Sequence, residues 1–170
     1  MIEAWRITRK RFAAEAFSGE GARLYGGRWN RPGVVMVYTA GSRSLAILEI
    51  LVHLRRTQPL ADYVLIPVTF EASLVTVVES LKLPSIDENR AAAEEVPGLP
   101  ENWDSEPPPV ETQALGDLWI AAGHGPVLAV PSAVVPAERN YLLNPAHPLF
   151  GQIRIGTPVP CRIDQRLLKS

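Results

Sequence analysis

One acidic residue stands inside an apolar segment where a charge is unexpected. Glu49 interrupts the run L-A-I-L-E-I-L-V over 45–52, which has the composition of a buried element. A carboxylate buried without a partner is costly. His53, four residues further along the same helical face, is the local side chain that could lower this cost. Two interpretations follow: a site carboxylate in a low-dielectric cleft, or a glutamate at a helix edge whose carboxylate reaches water.

An arginine in a glycine-rich turn is the second candidate. Arg28 lies in G-G-R-W-N over 26–30, where two glycines let the chain turn tightly beside it. Its planar guanidinium could bind a phosphate or a carboxylate, helped by exposed backbone N–H groups. The alternative is a turn arginine that stacks on Trp29. The glycine-rich stretch 18–33 has neither P-loop nor Rossmann spacing, so neither nucleotide-binding motif is indicated.

Polar residues beside predicted strands and turns form a third group. Tyr38 ends a predicted strand, where it is either a side chain at the rim of a cleft or a half-buried strand tyrosine. Ser132 lies in P-S-A-V-V-P and has the context of a turn. The G-x-S-x-G elbow of a hydrolase nucleophile is absent around it. Asn140 and Asn144, in E-R-N-Y-L-L-N-P, are predicted to be turn residues.

The elements that must position these residues are short. Alternating and β-branched runs predict strands over 2–8, 34–40, 62–70, 74–78 and 126–131, with one or two more in 151–163. Helical patterns cover 9–17, the stretch from a Ser42 cap to near Arg56, 86–95, and 110–122, which ends at Gly123. The stretch after Ser42 is apolar almost all round, which predicts a buried central helix. The fold class is therefore α+β, with a helix embedded among short strands.

Composition places the chain among ordinary globular proteins and predicts one domain over 1–170. The 170 residues are 46% hydrophobic and 21% charged, with a net charge of −1. A duplex-DNA binder would show a strongly basic face, so direct nucleic-acid binding is not expected. Cys161 is the sole cysteine, so no intrachain disulfide can form, and the three histidines have no metal-ligand spacing. No membrane span or secretory signal is recognisable, so a cytoplasmic location is expected.

One segment is both acidic and rich in proline. Residues 94–111 carry six acids, five prolines and no basic residue. The pattern predicts a solvated surface loop, with docking of a partner as the alternative.

Five motifs in order resemble the RES-domain family, which is named for an Arg, a Glu and a Ser. They are G-G-R-W-N at 26–30, V-Y-T-A at 37–40, L-A-I-L-E-I-L-V-H at 45–53, V-P-S-A-V-V-P at 130–136 and N-Y-L-L-N-P-x-H-P at 140–148. The matching residues are Arg28, Glu49 and Ser132. The resemblance implies a fold like that of the diphtheria-toxin-like ADP-ribosyltransferases, with short mixed or antiparallel strands around a cleft. It also implies a bacterial toxin that consumes NAD and is paired with an Xre-like antitoxin whose tail blocks the cleft.

The resemblance also implies roles for individual residues. Glu49 would stabilise the oxocarbenium-like ribose formed when nicotinamide leaves, and Arg28 would bind the pyrophosphate. Tyr38 would wall the nicotinamide, and Ser132 would bond to the ribose or to Glu49. The remaining predicted NAD contacts are Trp29 and Asn144.

NAD would be a substrate, with phosphate as a possible co-substrate, and neither a cofactor nor a metal is required. Hydrolysis, phosphorolysis and transfer of ADP-ribose to a protein all remain open. A non-catalytic NAD-binding module is the alternative from another class.

Overall fold

A single mixed sheet organises the molecule. The computed structural model describes residues 1–53, 62–81 and 99–168. Its strands are β1 (Ile2–Arg9), β2 (Val37–Ala40), β3 (Tyr63–Phe70), β4 (Val75–Val77), β5 (Val127–Pro131), β6 (Arg139–Leu143), β7 (Arg154–Ile155) and β8 (Val159–Pro160). They follow the order β4–β5–β6–β2–β1–β3–β7, with β8 also paired to β3. The strands pair antiparallel, except that β4 and β5 are parallel.

The α+β class and the short strands are confirmed. The predicted 34–40 strand begins only at Val37, and 151–163 holds two short strands. The predicted helix 9–17 is instead a 3₁₀ helix over Lys10–Glu15, and an unpredicted short helix, α1 (Glu20–Tyr25), lies in the glycine-rich stretch. The predicted helix 86–95 lies outside the described residues.

Register decides which side chains share a face of the sheet. Tyr38 is opposite Leu142, and Ala40 is opposite Asn140. On the other side of β6, Asn140 is opposite Val130. Since side chains alternate along a strand, all five of these residues point to the same face.

One helix covers the part of this face around Leu142. As predicted, α3 (Val110–Ala122) begins after Pro109 and ends at Gly123. The φ of Gly123 is 60°, in the left-handed region. Its Leu115 and Trp119 pack against Leu142 in the larger apolar cluster.

The second helix corrects a prediction. The segment after Ser42 is not a buried central helix. α2 (Arg43–Leu51) begins at the predicted cap, since Ser42 Oγ accepts the Leu45 N–H at 3.0 Å. Yet Leu48 is 37% exposed and Val52 just beyond the helix is 59% exposed. The physical reason is that α2 packs by one side on β1 and β2, so apolar composition overstated its burial, and α3 is the more deeply buried helix. The predicted end near Arg56 lies outside the described residues.

No helix in the described ranges combines the length and the apolar composition that crossing a bilayer requires.

Candidate active site

The carboxylate of Glu49 is held by two neutral donors from distant parts of the chain. Ser132 Oγ donates to Glu49 Oε1 at 2.7 Å, and Asn140 Nδ2 donates to the same oxygen at 2.6 Å. Glu49 is half-buried, whereas His53 on the next turn is exposed. The partners of Glu49 therefore come from β6 and the turn before it and not from its own helix.

Ser132 is a fixed part of the turn between β5 and β6. It is completely buried. Its Oγ accepts the N–H groups of Val134 and Val135 at 3.1 and 3.0 Å while it donates to Glu49. A hydroxyl has one hydrogen to donate and two lone pairs, so the bonding capacity of Ser132 is used in full. The arrangement suits a residue that orients a carboxylate and does not suit a nucleophile.

Asn140 is a site residue that the sequence reasoning missed. It was predicted in a turn, but it lies in β6 opposite Ala40 and Val130. The aromatic and apolar run Y-L-L over 141–143 was the available signal for a strand, and the two-residue period of a strand then places Asn140 on the same face as the buried Leu142.

Arg28 is bound by the acidic, proline-rich segment. Its Nη1 donates to the carbonyl oxygens of Trp103 and Ser105 at 2.9 and 2.7 Å. Its Nη2 lies 3.2 Å from Glu106 Oε2. The Arg28 side chain is 17% exposed and that of Glu106 is 74% exposed. The guanidinium therefore already binds acceptors of the kind that a phosphate would supply.

Trp29 and Asn144, both predicted to contact NAD, have packing and turn roles in the structure. The Trp29 ring is 2% exposed and stacks on Trp103 with ring centroids 6.2 Å apart. Asn144 Oδ1 accepts the Ala146 N–H, and the Asn144 N–H donates to Pro126. Asn144 therefore closes a turn beyond the end of β6 opposite to that of Asn140. For Asn144 this is the turn role that the sequence predicted, and contact of either residue with NAD stays a prediction.

Tyr38 connects the Arg28 loop, which is the stretch 26–36 between α1 and β2, to the sheet. Its hydroxyl donates to Asn30 Oδ1 at 2.7 Å and accepts the Trp29 N–H at 3.1 Å. A Cβ at Gly27 would lie 2.5 Å from this hydroxyl, so only glycine allows the approach. Burial raises the pKa of Tyr38 above its ordinary value, so the hydroxyl stays protonated at neutral pH.

The Arg28 loop is also attached to α3. Asp117 accepts the backbone N–H and the Nε–H of Arg31 at 3.1 and 2.6 Å. Gln113 Nε2 donates to the Gly27 carbonyl at 2.9 Å. A Cβ at Gly116 would lie 1.8 Å from the Trp29 carbonyl oxygen, which means that loop and helix meet backbone to backbone. Contacts from both sides therefore fix the base of the loop.

The two halves of the site share one face of the sheet. Asn140, bonded to Glu49, is diagonal to Tyr38 across the β2–β6 pair. Tyr38 in turn bonds the backbone next to Arg28. The Glu49 carboxylate and the loop that carries Arg28 are therefore both hydrogen-bonded to the β2–β6 strand pair. Among the described residues, no group of three or more His, Cys, Asp or Glu side chains forms a candidate metal site.

Several known proteins resemble this chain. A protein from Photorhabdus laumondii named Toxin Res is 36% identical over 167 residues, which cover 98% of this chain and 97% of that protein. A protein from Sphingobium named Prs ADP-ribosylating toxin is 40% identical over 149 residues, covering 85% and 83% respectively. A Toxin Res from Yersinia enterocolitica is 36% identical over 146 residues, covering 86% of each chain.

The fold has a solved counterpart. A chain of the Mycobacterium tuberculosis MbcT–MbcA toxin–antitoxin complex matches with a TM-score of 0.70 and 21% identity, covering 94% of this chain and 84% of that one. The family model described as the RES domain matches residues 3–164. The chain therefore belongs to the RES-domain family.

Proposed function

We propose that this chain is the toxin of a toxin–antitoxin pair and that it cleaves the nicotinamide–ribose bond of NAD⁺. The observation that carries the proposal is the carboxylate of Glu49, which two neutral side chains hold by hydrogen bonds. Tyr38, on the same face of the sheet, bonds the backbone next to Arg28. Relatives named as toxins, which align with almost the whole chain, support it.

Glu49 is the proposed catalytic residue. Departure of nicotinamide leaves positive, oxocarbenium-like character on the ribose, and a fixed negative charge beside it lowers the barrier. Because Ser132 and Asn140 are neutral, their hydrogen bonds fix the carboxylate without cancelling its charge. Within the described residues, Oε2 accepts no hydrogen bond and is available to the substrate.

Arg28 is the proposed pyrophosphate-binding residue. Its guanidinium fork suits two phosphate oxygens, and its loop is fixed by Tyr38 and by α3. Binding of the pyrophosphate at Nη2 of Arg28 requires Glu106 to move away. That carboxylate is mostly exposed, so its ion pair is weak and displacement is inexpensive. Tyr38 would wall the nicotinamide with its ring, since its hydroxyl is already engaged.

The acceptor of the ADP-ribose group defines a second candidate activity. Water or phosphate would make the protein a glycohydrolase or a phosphorylase. The relative named Prs ADP-ribosylating toxin favours transfer to a protein. Incubating the pure protein with NAD⁺, with and without phosphate, and identifying the products by mass spectrometry separates these outcomes. A non-catalytic module would bind NAD⁺ and release no nicotinamide.

The proposed partner is a cognate antitoxin of the Xre-like class that blocks the site. The solved toxin–antitoxin complex with the same fold supports a partner of this kind.

Exchange of Glu49 for glutamine tests the proposal directly. Glu49→Gln keeps the shape and a hydrogen-bond acceptor but removes the charge. We expect nicotinamide release to fall about 10²–10³-fold with little change in melting temperature, measured by chromatography and calorimetry on the purified variant. The matched control, Glu3→Gln, removes an exposed carboxylate on β1 and should keep full turnover. Undiminished turnover by folded Glu49→Gln would overturn the role.

A further inference from the structure

An unsatisfied acceptor lies beside the proposed catalytic carboxylate. Asn140 Oδ1 is buried and has no hydrogen-bond partner in the described part of the chain. The amide nitrogen of the same side chain donates to Glu49 at 2.6 Å. Buried polar atoms are usually paired, and each exception requires an explanation.

The orientation of this amide follows from chemistry. Rotating it by half a turn would place Oδ1 against the Glu49 carboxylate, so that two acceptors would face each other. With the nitrogen towards Glu49, Oδ1 is necessarily the free atom. The unsatisfied acceptor is therefore a consequence of positioning the carboxylate.

The sheet offers this oxygen no donor. The cross-strand neighbours of Asn140 on its own face are Ala40 and Val130, and neither side chain has a hydrogen to donate. Ser132 spends its single hydroxyl hydrogen on Glu49. Glu49 Oε2 and Asn140 Oδ1 are thus two acceptors on neighbouring side chains, both without donors from the described residues.

We propose that Asn140 is a positioning residue for Glu49 that also recognises the substrate, because its Oδ1 accepts a hydrogen bond from a hydroxyl of the ribose attached to nicotinamide. A ribose carries two adjacent hydroxyl donors, which match two adjacent acceptors. The inference rests on the proposed function. It assigns to Asn140 the discrimination of ribose from deoxyribose.

The test compares NAD⁺ with its 2′-deoxy and 3′-deoxy analogues in the nicotinamide ribose. With the wild-type protein, removal of the recognised hydroxyl should lower kcat/KM for nicotinamide release about 10–100-fold, because buried acceptors are left unpaired. In Asn140→Ala the activity on NAD⁺ should fall, and the ratio between NAD⁺ and that analogue should shrink by about 10-fold. A purely structural role would lower all three activities equally.

Two further variants separate the two roles of Asn140. Asn140→Asp retains an acceptor oxygen and nearly the same volume, so kcat should fall while the ratio stays within about three-fold of wild type. Ser132→Ala removes the other donor to Glu49 without touching Asn140 Oδ1 and should likewise keep the ratio. Thermal melts confirm folding, and Asn140→Leu, which fills a similar volume and also lacks the acceptor oxygen, carries the test if Asn140→Ala does not fold.

The possible failures are distinguishable. A wild-type protein that releases no nicotinamide overturns the proposed function, and this inference with it. A wild-type protein that consumes both deoxy analogues as efficiently as NAD⁺ overturns the inference alone. The same holds if folded Asn140→Ala keeps the wild-type ratio, or if Asn140→Asp loses it.

Discussion

At the residue scale, both side chains that donate hydrogen bonds to Glu49 are neutral. Its donors, Ser132 and Asn140, lie 83 and 91 positions away in the sequence. The apolar run around Glu49 reveals an anomalous carboxylate, because burial preferences are local in sequence. The family resemblance named Ser132 as one partner, and that hydrogen bond is present. Asn140 was not readable, because its contact with Glu49 depends on the register of β6 between β2 and β5. Local spacing by itself indicated only His53, four residues away.

Tyr38 illustrates the same limit, since its position in a strand is predictable but the partners of its hydroxyl are not. We expect Tyr38→Phe to destabilise the protein by about 2 kcal/mol, because it removes the donor to the Asn30 side-chain Oδ1 and leaves the Trp29 N–H unpaired in a buried place. Chemical denaturation with fluorescence detection measures this. A change below about 0.5 kcal/mol, the usual range for an exposed site, would contradict the structural role.

Tyr25→Phe is the matched control for that measurement. Tyr25 is 83% exposed, so removal of its hydroxyl should leave the free energy of unfolding almost unchanged.

At the element scale, the segment that begins near Leu99 and leads into α3 has no regular structure, yet it binds the guanidinium of Arg28. Its composition predicted a solvated surface loop, with docking as the alternative. The contact spans 75 to 78 positions, and two of the three acceptors are backbone carbonyls, which leave no signature in a sequence. The acidic composition of the segment can be read from the sequence, but its contact with Arg28 cannot.

This contact predicts an effect on substrate binding. In Glu106→Gln the carboxylate that competes with a pyrophosphate for Arg28 is gone. Exposed ion pairs contribute about 0–1 kcal/mol, so the KM for NAD⁺ should fall by at most about five-fold, with kcat unchanged, in steady-state assays.

Glu101→Gln removes the same charge from the same segment without touching Arg28 and should leave KM as it is. Equal decreases in both variants would mean that general repulsion by the segment, and not the ion pair, acts on the substrate.

The two longer helices show where composition misleads. The α2 segment is the more continuous apolar run, but α3 buries Thr112 and Asp117 as well as Leu115 and Trp119. Periodicity located both helices to within a few residues in the described ranges. Which of them is enclosed depends on how many neighbours each one meets, and this is a property of the folded sheet.

At the scale of the whole molecule, the order of five short motifs predicted the family, while alternating and β-branched runs predicted the α+β class and most strands, because all of these depend on patterns along the chain. The motifs also named Arg28, Tyr38, Glu49 and Ser132, which the structure connects through one strand pair. What remained out of reach were the contacts between distant segments, namely Asn140 with Glu49 and Glu106 with Arg28.

The proposed function predicts a cellular effect. Controlled expression of the chain in a bacterial host should stop growth and lower total NAD, measured by an enzymatic cycling assay. Expression of Glu49→Gln at the same level should do neither, and co-expression of the cognate antitoxin should restore growth. Arrest of growth by Glu49→Gln at the wild-type rate, with NAD levels intact, would separate the toxicity from NAD cleavage.

The backbone contact between Gly116 and the Trp29 carbonyl limits which segments from different relatives can be combined. A Cβ there would lie 1.8 Å from that oxygen, so not even a methyl group can be accommodated. A loop taken from a relative would therefore fit only against a helix that has glycine at the position of Gly116. The two segments, 87 positions apart in the chain, are therefore exchangeable only as a pair, and a chimaera should take both of them from the same parent.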